Sequence, residues 1–162
     1  MGVIRFVFLS ALVLAVTACA SDENVLLDFI NKTCSAENTK DQPPANWNQA
    51  KTINLDISGN GYGRDGIYMK VGEPTVLQIA NTDKAERFFI DGDFFDSVAM
   101  AQVTVGSAKT DRPCISGVHI GPGKKAELRF VPMKAGIFYP EGNALWFLGV
   151  HQGSPGFIYV KG

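Results

Sequence analysis

A chain of 162 residues is long enough to bury one core and too short for two domains of ordinary size. Its formal net charge of -1 leaves no basic excess for a polyanion, which excludes nucleic-acid binding as a leading function. Seventeen glycines and eight prolines stand between short runs of Val, Ile, Phe and Tyr, and this punctuation predicts a turn-rich, all-β domain.

The first twenty residues are of another kind. Arg5 is followed by Phe6 to Ala18, apolar apart from Ser10 and Thr17, and the stretch reads as an export segment. It closes in Val16-Thr-Ala-Cys19, which resembles the bacterial lipobox. That resemblance implies that Cys19 carries a lipid and becomes the mature N-terminus. The competing expectation is an uncleaved helix, because Ile4 to Ala20 is just long enough to span a bilayer. Either anchor places the chain on the periplasmic face of a membrane in a bacterial cell envelope. Taking Cys19 as the anchor leaves Cys34 and Cys114, and in an exported chain such a pair reads as one disulfide. It would close a loop of about 80 residues, a constraint of roughly 4 kcal/mol on the chain-entropy model. No Cys-x-x-Cys-His occurs, so covalently held haem is not expected.

Residues 21–50 lead from the anchor to the domain. Ser21-Asp-Glu-Asn can cap a short helix whose Val25, Leu26, Phe29 and Ile30 form one apolar stripe, suited either to a membrane interface or to packing on the domain. Residues 35–49 are polar with a Pro-Pro and read as a tether. From Lys51 to residue 162 the pattern is that of a single β domain. Ile53, Leu55 and Ile57 alternate with Thr52, Asn54 and Asp56, and Ile67, Met69 and Val71 repeat the alternation. Further strands are expected at Thr75 to Ala80, Arg87 to Ile90, Ala101 to Val105, Val118 to Ile120, Ala126 to Val131, Gly136 to Tyr139 and Phe157 to Val160. With no helical periodicity after residue 50, the expected fold is an antiparallel Greek-key β-sandwich or barrel preceded by an anchoring helix.

The order of these features resembles the cupredoxins. Val71-Gly-Glu-Pro-Thr-Val-Leu-Gln-Ile-Ala-Asn81 is similar to that family's strand pair ending in Asn. Arg87-Phe-Phe-Ile, Ile120-Gly-Pro-Gly-Lys-Lys-Ala-Glu-Leu-Arg-Phe, Lys134-Ala-Gly-Ile-Phe-Tyr139 and the closing His151-Gln-Gly-Ser-Pro-Gly-Phe-Ile-Tyr-Val follow in the family's sequence. The resemblance implies an electron-transfer fold whose plastocyanin-type members hold copper with two imidazoles, a thiolate and a weak axial thioether. Carried over position by position, the first imidazole falls on Arg87, the thiolate on Leu148 and the thioether on Gly156 or Phe157. Of that set only His151 is present. A guanidinium repels a cation and leucine offers no donor, so a blue-copper site is not expected.

The alternative is a copper-binding or electron-transfer lipoprotein whose site is rearranged on His151 and His119, helped by Met100, Met133 or Glu141. Asp91-Gly-Asp-Phe-Phe-Asp96 lacks the full calcium-loop spacing and reads as an acidic turn; Gly59 to Gly66 reads as a flexible loop or wide hairpin. No serine or cysteine stands in an evident catalytic set, so no enzyme activity and no cofactor are expected. Trp146, Phe147, Phe94 and Phe95 fall on loops or loop edges, where large apolar side chains are candidates either for partner binding or for filling the sandwich end that an absent copper leaves vacant. The function expected is therefore that of an accessory or structural subunit of a larger membrane complex. By the habits of the family, that complex is a respiratory or photosynthetic electron-transfer assembly.

Overall fold

The computed structural model describes residues 43–59, 61–111, 114–140 and 156–162. Within them the chain forms β1 (Lys51–Ser58), β2 (Gly61–Tyr62), β3 (Gly66–Lys70), β4 (Thr75–Asn81), β5 (Arg87–Ile90) and a one-turn helix, α1 (Gly92–Asp96). Then come β6 (Val98–Val105), β7 (Ala108–Asp111), β8 (Gly117–Ile120), β9 (Lys125–Pro132), β10 (Gly136–Phe138) and β11 (Phe157–Lys161). Period-two alternation decides which side chains enter the core: in β1, Ile53, Leu55 and Ile57 are buried while the residues between them are exposed.

One sheet has the order β2-β1-β4-β9-β6-β7, a second the order β10-β11-β3, and β5 pairs with β8. Their apolar faces meet in one cluster that joins Leu55, Ile79, Val103 and Leu128 to Ile67, Ile158, Phe89 and Val118. This is the cupredoxin-like sandwich that the order of sequence features implies. It differs from a plain antiparallel stack in two ladders, since β1 runs parallel to β4 and β11 runs parallel to β3. Parallel neighbours need a crossover, and the chain makes one by leaving β1, contributing β3 to the other sheet and returning as β4.

β6 starts three residues earlier than expected from sequence. Its ladder with β9 shifts register between Met100 and Gln102, so the core residues are Val98 and Met100 before the shift and Val103 and Val105 after it. The outer face of the same sheet also carries buried Ala99 and Val131. They line a cavity of about 210 Å³ with Pro43, Pro44, Ala45 and Trp47, so the last stretch before β1 lies against the sheet. Asn46 caps a 3-10 turn at Trp47–Gln49 by accepting from the Asn48 N–H at 3.2 Å.

The segment read as an acidic turn is α1. Asp91 is its N-cap, accepting from the Phe94 N–H at 2.9 Å. No helix among the described residues is long and apolar enough to cross a membrane. The expected anchor and stripe at residues 1–34, with Cys19 and Cys34, lie outside the described residues.

Candidate functional site

The position that the family resemblance assigns to a first imidazole is taken by a guanidinium, and β5 decides where it points. In the β5–β8 ladder Arg87 pairs with Ile120 and Phe89 with Val118, which puts Arg87 on the ladder face that carries core residues. Its side chain is 13% exposed and bonded to Asp83, whose carboxylate Oδ2 accepts from Arg87 Nη2. The same oxygen accepts the Gly59 N–H at 2.7 Å, and Oδ1 accepts the Lys84 N–H at 2.6 Å. The Arg87 guanidinium first, then these two amides, hold the Asp83 carboxyl down at a pKa of about 2. It is therefore ionised at any physiological pH, and the pair is a fixed ion pair.

Asn81 builds the floor beneath it. Buried to 2% exposure, its Nδ2 lies 2.8 Å from the Ala85 carbonyl, 2.9 Å from that of Ile120 and 3.0 Å from that of Gly121, and donates among them. Its Oδ1 accepts the Asp83 N–H at 2.9 Å. One amide thus ties β4, the β4–β5 loop and the end of β8, and Asp83 extends the tie to the β1–β2 turn at Gly59. Arg87 Nε is buried with no hydrogen-bond partner among the described residues.

This geometry does not fit a blue-copper ion. A copper ion at the first-ligand position would face a protonated guanidinium instead of an imidazole lone pair. The thioether position fits no better. Gly156 has φ +72°, and a Cβ there would lie 3.1 Å from the carbonyl oxygens of both Arg64 and Asp65, so no methionine side chain could leave that point without strain. Phe157, the other candidate, lays its ring over Gly66.

His119 lies elsewhere. It pairs with Phe88 on the other face of the β5–β8 ladder and stacks on that ring, with centroids 4.8 Å apart and planes at 20°. Its Nε2 is 3.3 Å from Glu86 Oε2, yet the alignment is too poor for a hydrogen bond and Nε2 is left without one among the described residues. Met100 is in the core and Met133 is exposed beyond the end of β9. Among the described residues no three of His, Cys, Asp and Glu gather as a metal group. His151, Glu141, Leu148, Trp146 and Phe147 lie outside the described residues.

Phe94 and Phe95 require a correction. Expected on loops or loop edges as candidates for partner binding, they are 0% and 6% exposed, because α1 turns their rings inward. Phe94 meets Phe130, Phe138, Phe95 and Phe89 edge-on at centroid distances of 5.5, 5.7, 5.4 and 6.2 Å. They are packing residues of the core. The residues that sequence reasoning missed are Asp83 and Asn81 as a unit. Asn81 is visible in the family pattern, and the spacing of Asp83 from Arg87 is the only further signal.

No family model matches the chain, and no curated protein matches it. Solved structures do. A laccase from Pediococcus acidilactici superposes with a TM-score of 0.53 at 13% identity, covering 75% of this chain and 29% of the laccase. A multicopper oxidase from Campylobacter jejuni gives 0.48 at 11% identity, covering 76% of this chain and 31% of that one. An auracyanin from the photosynthetic bacterium Roseiflexus castenholzii gives 0.45 at 14% identity, covering 70% of this chain and 98% of that one. The chain spans less than a third of either oxidase. At these identities the likeness is one of fold, and the laccase superposition carries it.

Proposed function

We propose that this cupredoxin-like chain is a membrane-anchored, extracytoplasmic protein without a blue-copper centre. In this reading it serves as an accessory or structural subunit of a larger membrane complex, of the respiratory or photosynthetic electron-transfer kind. One observation carries the proposal: Arg87, paired with an Asp83 carboxylate that the Gly59 N–H also holds, stands on the core-facing side of β5 at the position the family resemblance assigns to a copper ligand. A domain that keeps the sandwich but puts a permanent cation at the ligand position is suited to holding a surface in place rather than to passing electrons. The protein then acts as no enzyme and requires no cofactor.

The anchor in this proposal is the lipid on Cys19 or the uncleaved N-terminal helix, and Cys34 bridges to Cys114 in the oxidising compartment. In support of the bridge, Cys114 is bonded rather than a free thiol. Trp146 and Phe147 remain the candidate contacts with other subunits, now without Phe94 and Phe95.

The test is extraction of membranes in mild detergent followed by affinity isolation of the tagged full chain. The expected result is a set of membrane proteins recovered with it in fixed ratio and lost in harsh detergent. Recovery of a clean monomer under mild conditions contradicts the subunit role. The mass of the mature N-terminal peptide decides between lipid and helix.

A further inference from the structure

The outer face of the β10-β11-β3 sheet has the wrong composition for plain contact with water. In register across the three strands lie Ile137, Tyr159 and Tyr68, and they are 55%, 39% and 57% exposed. Tyr68 meets Tyr159 and Phe157 edge-on, with centroids 6.2 and 5.7 Å apart, so the rings form a coherent surface. Two positions further along the same face Lys161 stands opposite Lys70, both exposed. Like charges at neighbouring register positions repel, so the sequence keeps an unfavourable pair there.

More cations gather at this end of the sandwich. Hydrogen bonds from the Val71 N–H to the Lys161 carbonyl and from the Gly72 N–H to the Pro132 carbonyl join the β3–β4 turn to the ends of β11 and β9 there. Exposed Met133 and Lys134 follow Pro132 directly. Lys51 Nζ donates to the Tyr68 carbonyl at 2.9 Å and lies 4.0 Å from Glu73, which neutralises that carboxylate. Among the described residues Lys70, Lys134 and Lys161 make no ion pair. The N-terminal stretch also arrives at this end, since the Lys51 N–H bonds to the Pro74 carbonyl and Pro43 lies against Ala99 and Val131.

We propose that this tyrosine and lysine face seats on a bilayer containing anionic phospholipid, with Lys70, Lys134 and Lys161 meeting headgroup phosphates and Tyr68, Tyr159 and Ile137 entering the interfacial layer. The inference rests on the membrane anchor proposed above and says which side of the domain the anchor brings down. Tyrosine suits that depth because its ring is apolar and its hydroxyl wet, and unpaired lysines supply the charge complement of an anionic leaflet. Chain length allows the contact. Cys19 and Pro43 are 24 positions apart, a reach of at most about 80 Å when fully extended, so the domain stays within range of the surface. An acidic protein partner is the competing occupant, and the tether entering at the basic end favours the bilayer.

The test uses the full chain, purified in detergent and reconstituted into vesicles of phosphatidylcholine alone or with about a third phosphatidylglycerol. Vesicles are floated on a density gradient, and a water-soluble acylating reagent then labels exposed amines for mass spectrometry. The expected result is several-fold slower labelling of Lys70, Lys134 and Lys161 on the anionic vesicles, with Lys84 and Lys109 unchanged. High salt should abolish the difference. In a Lys70→Glu, Lys161→Glu variant Lys134 should lose its protection, and Tyr68→Ser should reduce it. A chain that floats with both vesicles and labels equally on both overturns the seating while leaving the anchor intact. A chain that floats with neither overturns the anchor itself. Protection found in native membranes but absent on pure lipid assigns the face to a protein and overturns the lipid proposal.

Discussion

Around Phe94, aromatic rings meet edge-on at 5.4 to 6.2 Å, and their packing, with the Met133 N–H bonded to the Ser97 carbonyl at 2.8 Å, holds α1 against β9 and β10. Around Asn81, a comparable set of connections is made by hydrogen bonds and one ion pair that join β4, β8 and two loops. The first region tolerates no loss of volume, and pH reaches it through its cap, Asp91, whose carboxyl is raised by burial. The second fixes Arg87 at the position that the family resemblance assigns to a first imidazole. The difference teaches that the sandwich closes its core by shape and the end around Arg87 by hydrogen bonds and charge.

Substitutions should separate the two regions. Phe94→Ala should cost the most, about 3 to 5 kcal/mol, because a fully buried ring is removed from a packed cluster; the midpoint of urea unfolding measures it. Asn81→Ala should follow at about 2 to 3 kcal/mol, because three carbonyls and the Asp83 amide lose their buried partner at once, and the same melt reads it. Gly117→Ala should cost roughly 1 to 3 kcal/mol by overpacking, since its new Cβ would lie 2.8 Å from the Phe89 carbonyl oxygen and 3.0 Å from Ile90 Cα.

The pH dependence sharpens the contrast. The carboxyl of Asp83 is depressed in the folded state to about 2, so its contribution is present above the unfolded carboxylate value. It should fade as pH falls from there toward 2. An Asp83→Asn variant should lose stability at neutral pH and lose that part of the acid slope, whereas Phe94→Ala should shift the whole curve without changing its shape. Asp91 carries the opposite sign. Burial raises its carboxyl in the folded protein, so it favours the fold at low pH and loses that advantage as pH rises. Smallest of all, Tyr68→Ser should leave stability within about 0.5 kcal/mol, because the ring is exposed and its role lies in contact rather than folding.

Much of the sandwich was legible because period-two alternation in β1 and β3 is a direct record of which side faces the core. The start of β6 was hidden by its bulge, which moves the core residues from even to odd numbers between Met100 and Val103 and so breaks the pattern that sequence reading follows. Phe94 and Phe95 misled for a related reason. Adjacent apolar residues between two acidic ones look like a surface turn, yet a single helical turn capped by Asp91 buries both. At the candidate site the identity of Arg87 was readable and its meaning was not. That meaning depends on Asp83 and Gly59, which lie in two separate loops and meet only in the folded chain.

The central claim is that a fixed ion pair has replaced a copper ligand. Its most direct test is to equilibrate the purified full chain with Cu(II), remove loosely held metal, and measure copper per chain together with the visible absorption spectrum. The account predicts copper well below one per chain and no intense thiolate-to-copper band. One copper per chain, lost on His151→Ala or His119→Ala, would contradict it and establish the rearranged copper site instead.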